Sequence, residues 1–291
     1  MRLQFIKNIF VLLASLAVLE ACSIYDHYPD RKQRDVCVEL RDSTGGVVPL
    51  DSASDVVYLY YFVNGNYQGL IPRESDGRFR LVYNEGDTIT YVAVAGRKPE
   101  QYDLNAPVSG ESIHNVWLQL HTQGTGVSEQ PDPIYYGKAS TTEFGDNADG
   151  LQTITLRDIR SRVRVWVRGL KRRFGDGKYR IVIEGLRSGL AYDGTSGGEY
   201  VNYDTQGAFD TNDTWKTDPI TVLPSTGSTV SLKIYKQDGT LLFDRTQDED
   251  GNPLVIKSSE DVVFIVNASY QAEMTIKVVP YEDADNCNVF Q

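Results

Sequence analysis

Cys22 stands where a thiol can be acylated. Arg2 and Lys7 open the chain with positive charge, residues 9–19 form an apolar run of about 11 residues, and Leu19-Glu20-Ala21-Cys22 follows. That run is shorter than the roughly 20 residues a helix needs to cross a bilayer. The segment therefore reads as a lipoprotein signal at 1–21, cut before Cys22, whose thiol then carries a diacylglyceryl group. Each buried methylene is worth roughly 0.8 kcal/mol, so two or three acyl chains hold a protein on a membrane without spanning it. Glu20 departs from the small residue usual two places before such a cysteine. The alternative is an ordinary cleaved signal followed by an incidental cysteine.

Other reactive side chains are sparse. Cys37 and Cys287 form an even pair in a chain that leaves the reducing cytosol. They could form one disulfide, which requires the two ends of the chain to meet, or remain two free thiols. Gly194-Thr195-Ser196-Gly197-Gly198 fits the letters of a nucleophile elbow, but that device needs a strand before the serine and a helix after it; a glycine-rich loop is expected instead. Of three histidines, His27 lies in a spacer, and His114 and His121 fall on opposite faces of an expected strand. The acidic stretches 244–250 and 283–285 lack the spaced oxygen pattern of a calcium loop and read as solvated. No pair among the 40 acidic residues stands out as a glycosidase couple. No catalytic residue, cofactor, metal or small-molecule substrate is expected.

A net charge of −11 argues against nucleic acid, whose phosphates need a basic footprint. The exception to the acidity is a run of eight basic side chains from Arg157 to Arg173. It reads as a solvated strand face, or as a patch for phosphate-bearing head groups or an acidic partner.

These groups must be carried by strands. Residues 22–35 are polar and suit a lipidated spacer. Runs of four to eight β-branched and aromatic residues then recur between Gly, Asp and Asn clusters. Strands are expected near 36–41, 56–63, 79–83, 88–94, 116–120 and 134–139, with Asn64-Gly65 turning the chain into 67–71. After a loop at 142–150, one half-buried strand is expected over 151–169, its valines on one face and its arginines on the other. Residues 179–183, 230–234, 241–243, 262–266 and 272–278 continue the pattern, and Asp238-Gly239 suggests a second hairpin like the first. An all-β fold of two antiparallel sandwich domains follows, 36–150 and 151–291.

The order of these features resembles the anchor and accessory lipoproteins of type V fimbriae. The matching residues are Cys22 followed by Ile24-Tyr25-Asp26, the hairpin at 56–70, Tyr91-Val92-Ala93-Val94-Ala95, Pro133-Ile134-Tyr135-Tyr136-Gly137-Lys138, Val167-Arg168-Gly169-Leu170 and 229–243. The resemblance implies two tandem transthyretin-like β-sandwich domains and no enzyme activity. It implies a structural anchor or minor fimbrial subunit, lipid-attached to the outer membrane through Cys22, facing the cell surface and joined to other fimbrial subunits by strand exchange. Asp26 and Asp30 would then act as a surface-export cue, and the segment 281–291 is a candidate donor. The competing expectation is a glycan-binding surface lipoprotein with Trp117, Trp166 or Trp215 as a stacking platform.

Overall fold

The computed structural model describes residues 31–42, 44–49, 57–96, 102–122, 129–141, 151–226, 228–268 and 273–287. Cys22, the expected signal at 1–21, residues 22–30 of the spacer and the loop at 142–150 lie outside them. The described chain is all-β. It runs through β1 (Arg31–Arg41), β2 (Val47–Val48), β3 (Tyr58–Val63), β4 (Asn66–Ile71), β5 (Phe79–Asn84), β6 (Ile89–Ala95), β7 (Tyr102–Leu104), β8 (Val116–Leu120), β9 (Tyr135–Ser140) and β10 (Gln152–Asp158). It continues through β11 (Ser161–Arg168), helix α1 (Leu170–Phe174), β12 (Tyr179–Ala191), β13 (Ser196–Phe209), β14 (Trp215–Thr217), β15 (Ile220–Val222), β16 (Ser231–Lys236), β17 (Leu241–Arg245), β18 (Asp261–Asn267) and β19 (Thr275–Pro280). A single 3-10 turn, Tyr281–Asp283, follows.

Turn chemistry sets the hairpins. Asn64 and Gly65 both take left-handed backbone angles, φ 50° and 82°, which is the two-residue turn that matches the twist of the strands it joins. The second hairpin is built differently from the first. There only Gly239 is left-handed, at φ 87°; it donates to Lys236 O, while Lys236 N–H donates to Thr240 O. The pairing then slips between Ile234 and Tyr235, leaving Leu242 as an extra residue in β17.

The strands assemble into two sheets. The first has the order β2-β1-β10-β9-β6-β3-β4, with β5 on the leading half of β1. The second has the order β17-β16-β12-β13-β14-β11-β18-β19, with β15 against β11 and the β7–β8 pair against β12. Every ladder is antiparallel except β1–β10 and β11–β18.

Residues 151–169 do not form one strand. The chain breaks at Ile159-Arg160, so that β10 closes the first sheet and β11 enters the second. Arg160 holds the break: its guanidinium grips Asp158 and donates to Pro131 O at 2.7 Å. Ile159 meanwhile is buried between the sheets. The sheets accordingly do not divide at 150/151, since β10 lies with the first and β7 and β8 with the second.

Buried side chains gather around this arrangement. One core, with Leu59, Ile89, Tyr91 and Leu156, backs the first sheet, and another, with Val163, Ile181, Trp215 and Phe264, fills the second half. A third joins them: Tyr60, Phe62, Val92 and Val94 of the first sheet meet Trp117, Leu118, Leu190 and Tyr192 of the second. The halves are thus joined by a shared core.

Candidate functional site

Reactive groups expected from the sequence do not converge. Cys37, on β1, and Cys287, beyond the last strand, are free thiols. Cys37 Sγ lies 3.1 Å from Thr153 Oγ1 on the neighbouring strand, and Cys287 packs against the cluster around Trp166; the structure does not join them. Ser196 opens β13, so a strand follows it where an elbow needs a helix. His114 and His121 lie apart, one 2.7 Å from Asp193 and the other 3.0 Å from Asp103. Among the described residues no group of three His, Cys, Asp or Glu side chains could hold a metal. No described helix is long and apolar enough to cross a membrane.

The tryptophans are not a platform. Trp117 and Trp215 are each 1% exposed and Trp166 is 6% exposed, so none offers a ring face to a sugar. Trp117 instead spends its indole N–H on Ala191 O at 3.2 Å. Five of the eight basic side chains of the run are engaged internally as well. Arg160 grips Asp158, Arg162 and Arg164 share Asp261, Arg168 donates to Cys287 O, and Lys171 lies between Asp176 and Asp213.

The densest polar arrangement is mechanical in character. The tip of the β12–β13 hairpin inserts its backbone into the first sheet's side chains. Tyr136 Oη on β9 donates to Tyr192 O at 2.8 Å, Lys138 Nζ donates to Asp193 O at 3.1 Å, and Tyr192 Oη donates to Asn105 O at 3.2 Å. The Tyr192 ring meets Tyr60 edge-on at 5.1 Å and Phe62 at 5.3 Å. Burial pushes the Tyr136 phenol far above its usual range, so it remains a donor. Burial opposes the charge on Asp193, but hydrogen bonds from Thr195 and His114 outweigh it and hold the carboxyl below its usual range.

Residues 33–285 match the family described as fimbrillin-A associated anchor proteins Mfa1 and Mfa2. The chain belongs to that family. Solved structures agree in fold. The fimbrial anchor protein Mfa2 from Porphyromonas gingivalis is 13% identical with a TM-score of 0.57, over 87% of this chain and 98% of that one. A candidate polysaccharide-binding protein from Bacteroides thetaiotaomicron VPI-5482 is 16% identical with a TM-score of 0.52, over 87% and 99%. A candidate adhesin from Bacteroides ovatus is 12% identical with a TM-score of 0.52, over 86% and 95%. Among curated proteins there is no match. These are fimbrial anchor, polysaccharide-binding and adhesin proteins, not enzymes, and the family is one of the cell surface.

In this family member the C-terminal segment has a place that alternation along the strands did not suggest. Trp166, Val263, Ile265 and Val279 face away from the main core, yet all are buried, because Ala284 and Cys287 lie over them. Arg164 stacks on the Tyr281 ring at 3.8 Å, and Arg168 donates to Cys287 O at 2.9 Å. Residues 281–287 form a strap on their own body. The signal in the sequence is Trp166 itself, an aromatic residue among the arginines on the second face of β11.

Proposed function

We propose that this family member is a structural anchor or minor subunit of a surface fimbria, held in the outer membrane by lipid on Cys22 and joined to another subunit by strand exchange. The observation that carries the reading is the family match over 33–285. The joined cores support it, since a link between fibre and membrane must pass load without parting, and two sheets sharing Tyr60, Leu118 and Tyr192 separate only by exposing them. A donated strand suits the joint: four or five buried side chains at roughly 1.5–3 kcal/mol each give a gross gain of about 6–15 kcal/mol, which the ordering of the segment reduces. Of the candidate donor segment 281–291, residues 281–287 pack on their own body, which favours the receiving role, and 288–291 lie outside the described residues. Glycan binding through tryptophan loses its support, since all three rings are covered.

The test is Cys22→Ser in the producing cell. The variant is expected in the soluble or shed fraction, with fimbriae lost from the cell surface. A variant that stays in the membrane fraction with fimbriae unchanged removes the anchor reading.

A further inference from the structure

We infer that the β1–β10 pair is a tension-bearing clamp: the chain enters and leaves the first half at opposite ends of one parallel ladder, so a pull between the N-terminal tether and the second half loads that ladder in shear. The direction of load rests on the anchor reading above; strand exchange is not needed. Among the described residues two ladders are parallel, and each belongs to one half. In chain order β1 is the first strand of the first sheet and β10 its last, while β11 opens the second half and β18 is its last strand but one.

In a parallel pair the start of one strand lies far from the finish of the other. Val36 stands opposite Gln152 and Leu40 opposite Leu156, so Arg31 lies beyond one end of the ladder and Asp158 beyond the other. Pulled apart at those points, the strands must slide along each other, and the evenly spaced bonds between them take the load together. β1 is held on its leading half as well, where six positions pair with β5, from Arg31 opposite Asn84 to Val36 opposite Phe79. Sliding also drags Val36, Leu40, Ile154 and Leu156 out of the core, where each is 5% exposed or less, and a slip of one residue turns their faces to water.

The second half repeats the arrangement with seven register pairs, from Arg162 opposite Asp261 to Arg168 opposite Asn267. The junction between the two ladders is bonded on both sides. Ile159 N–H donates to Ile134 O at 2.9 Å, Arg162 N–H donates to Glu260 O at 2.8 Å, and Ser161 Oγ donates to Lys257 O. Tension leaving β10 therefore reaches β11 and the entry of β18 together. The antiparallel β18–β19 pair is the contrast. β19 finishes at Pro280, opposite Val262, and Val262 is level with Val163 near the start of β11, so a pull at the C-terminal end peels β19 away bond by bond.

The experiment pulls single molecules of the chain 22–291 carrying Cys37→Ser and Cys287→Ser, with one handle on Cys22. Arg157→Cys puts the second handle at the finish of β10 and loads the ladder in shear, whereas Leu151→Cys puts it just before the start of β10 and opens the ladder from one end. Both replaced side chains are exposed, so the fold is kept. Five register pairs share the load in the first geometry and meet it in turn in the second, so the rupture force should be about three- to fivefold higher with Arg157→Cys. With the second handle on Gln291→Cys instead, β19 should come away at low force before either parallel ladder yields. Equal rupture forces for the two β10 handles, or a first half that opens before β19, overturn the clamp and leave the membrane anchor standing. The anchor itself fails only by the separate fractionation of Cys22→Ser.

Discussion

Tyr136 on β9 hands its phenolic proton to the carbonyl of Tyr192, 2.8 Å away at the tip of the β12–β13 hairpin. One bond thus ties the middle of the first sheet to the longest hairpin of the second. Tyr136→Phe removes the donor and leaves the Tyr192 carbonyl without it, at a cost of about 1–3 kcal/mol. Urea denaturation should show the midpoint falling with the slope unchanged, still as a single transition. Two separated transitions in the variant would mean that this bond, and not the shared core, couples the sheets.

Acid should loosen the same joint. The Asp193 carboxyl is held below its ordinary value near 3.8 in the folded chain. Its contribution is therefore complete above that value and is lost as the pH falls through the lower, folded pKa. Asp193→Asn is expected to be less stable than wild type at neutral pH, with the gap closing in acid below the ordinary carboxylate range. Melting curves across that range measure it; a gap that widens in acid contradicts the assignment.

Ala284 has no exposed surface and sits over Trp166 and Ile265. An arginine in its place cannot fit and should lift the strap. Re-exposing large apolar side chains loses roughly 1.5–3 kcal/mol each, so Ala284→Arg should lower stability by about 2–5 kcal/mol. Trp166 emission should shift to the red while Trp117 and Trp215, buried in the cores, stay as they are. Unchanged fluorescence and stability would show that 281–287 does not cover this face.

With Cys37 and Cys287 both free, a reductant should leave melting unchanged. Thiol counting on the unfolded, unreduced chain should find both. A disulfide closing so long a loop would instead contribute about 4–5 kcal/mol, and its reduction would lower the melting temperature clearly.

Much of the local architecture is legible in residue order. The alternation in Arg162-Val163-Arg164-Val165 places the valines inward, as observed, and Asn64-Gly65 makes the turn its side chains favour. Both depend on contacts within a few residues. Asp238-Gly239 shows where this ends: in the same kind of dipeptide only the glycine takes the left-handed conformation, whereas Asn64 and Gly65 both do.

The sequence alone determined that this is a strand-built, acidic chain with alternating buried faces and tight Asn-Gly turning, because periodicity and turn preference act between near neighbours. Tertiary structure decided that β10 and β11 part at Ile159 into different sheets, that all three tryptophans are covered, and that the cysteines stay apart. Strand pairing and burial depend on which distant segments close over a surface, and a residue's neighbours in the chain do not carry that information.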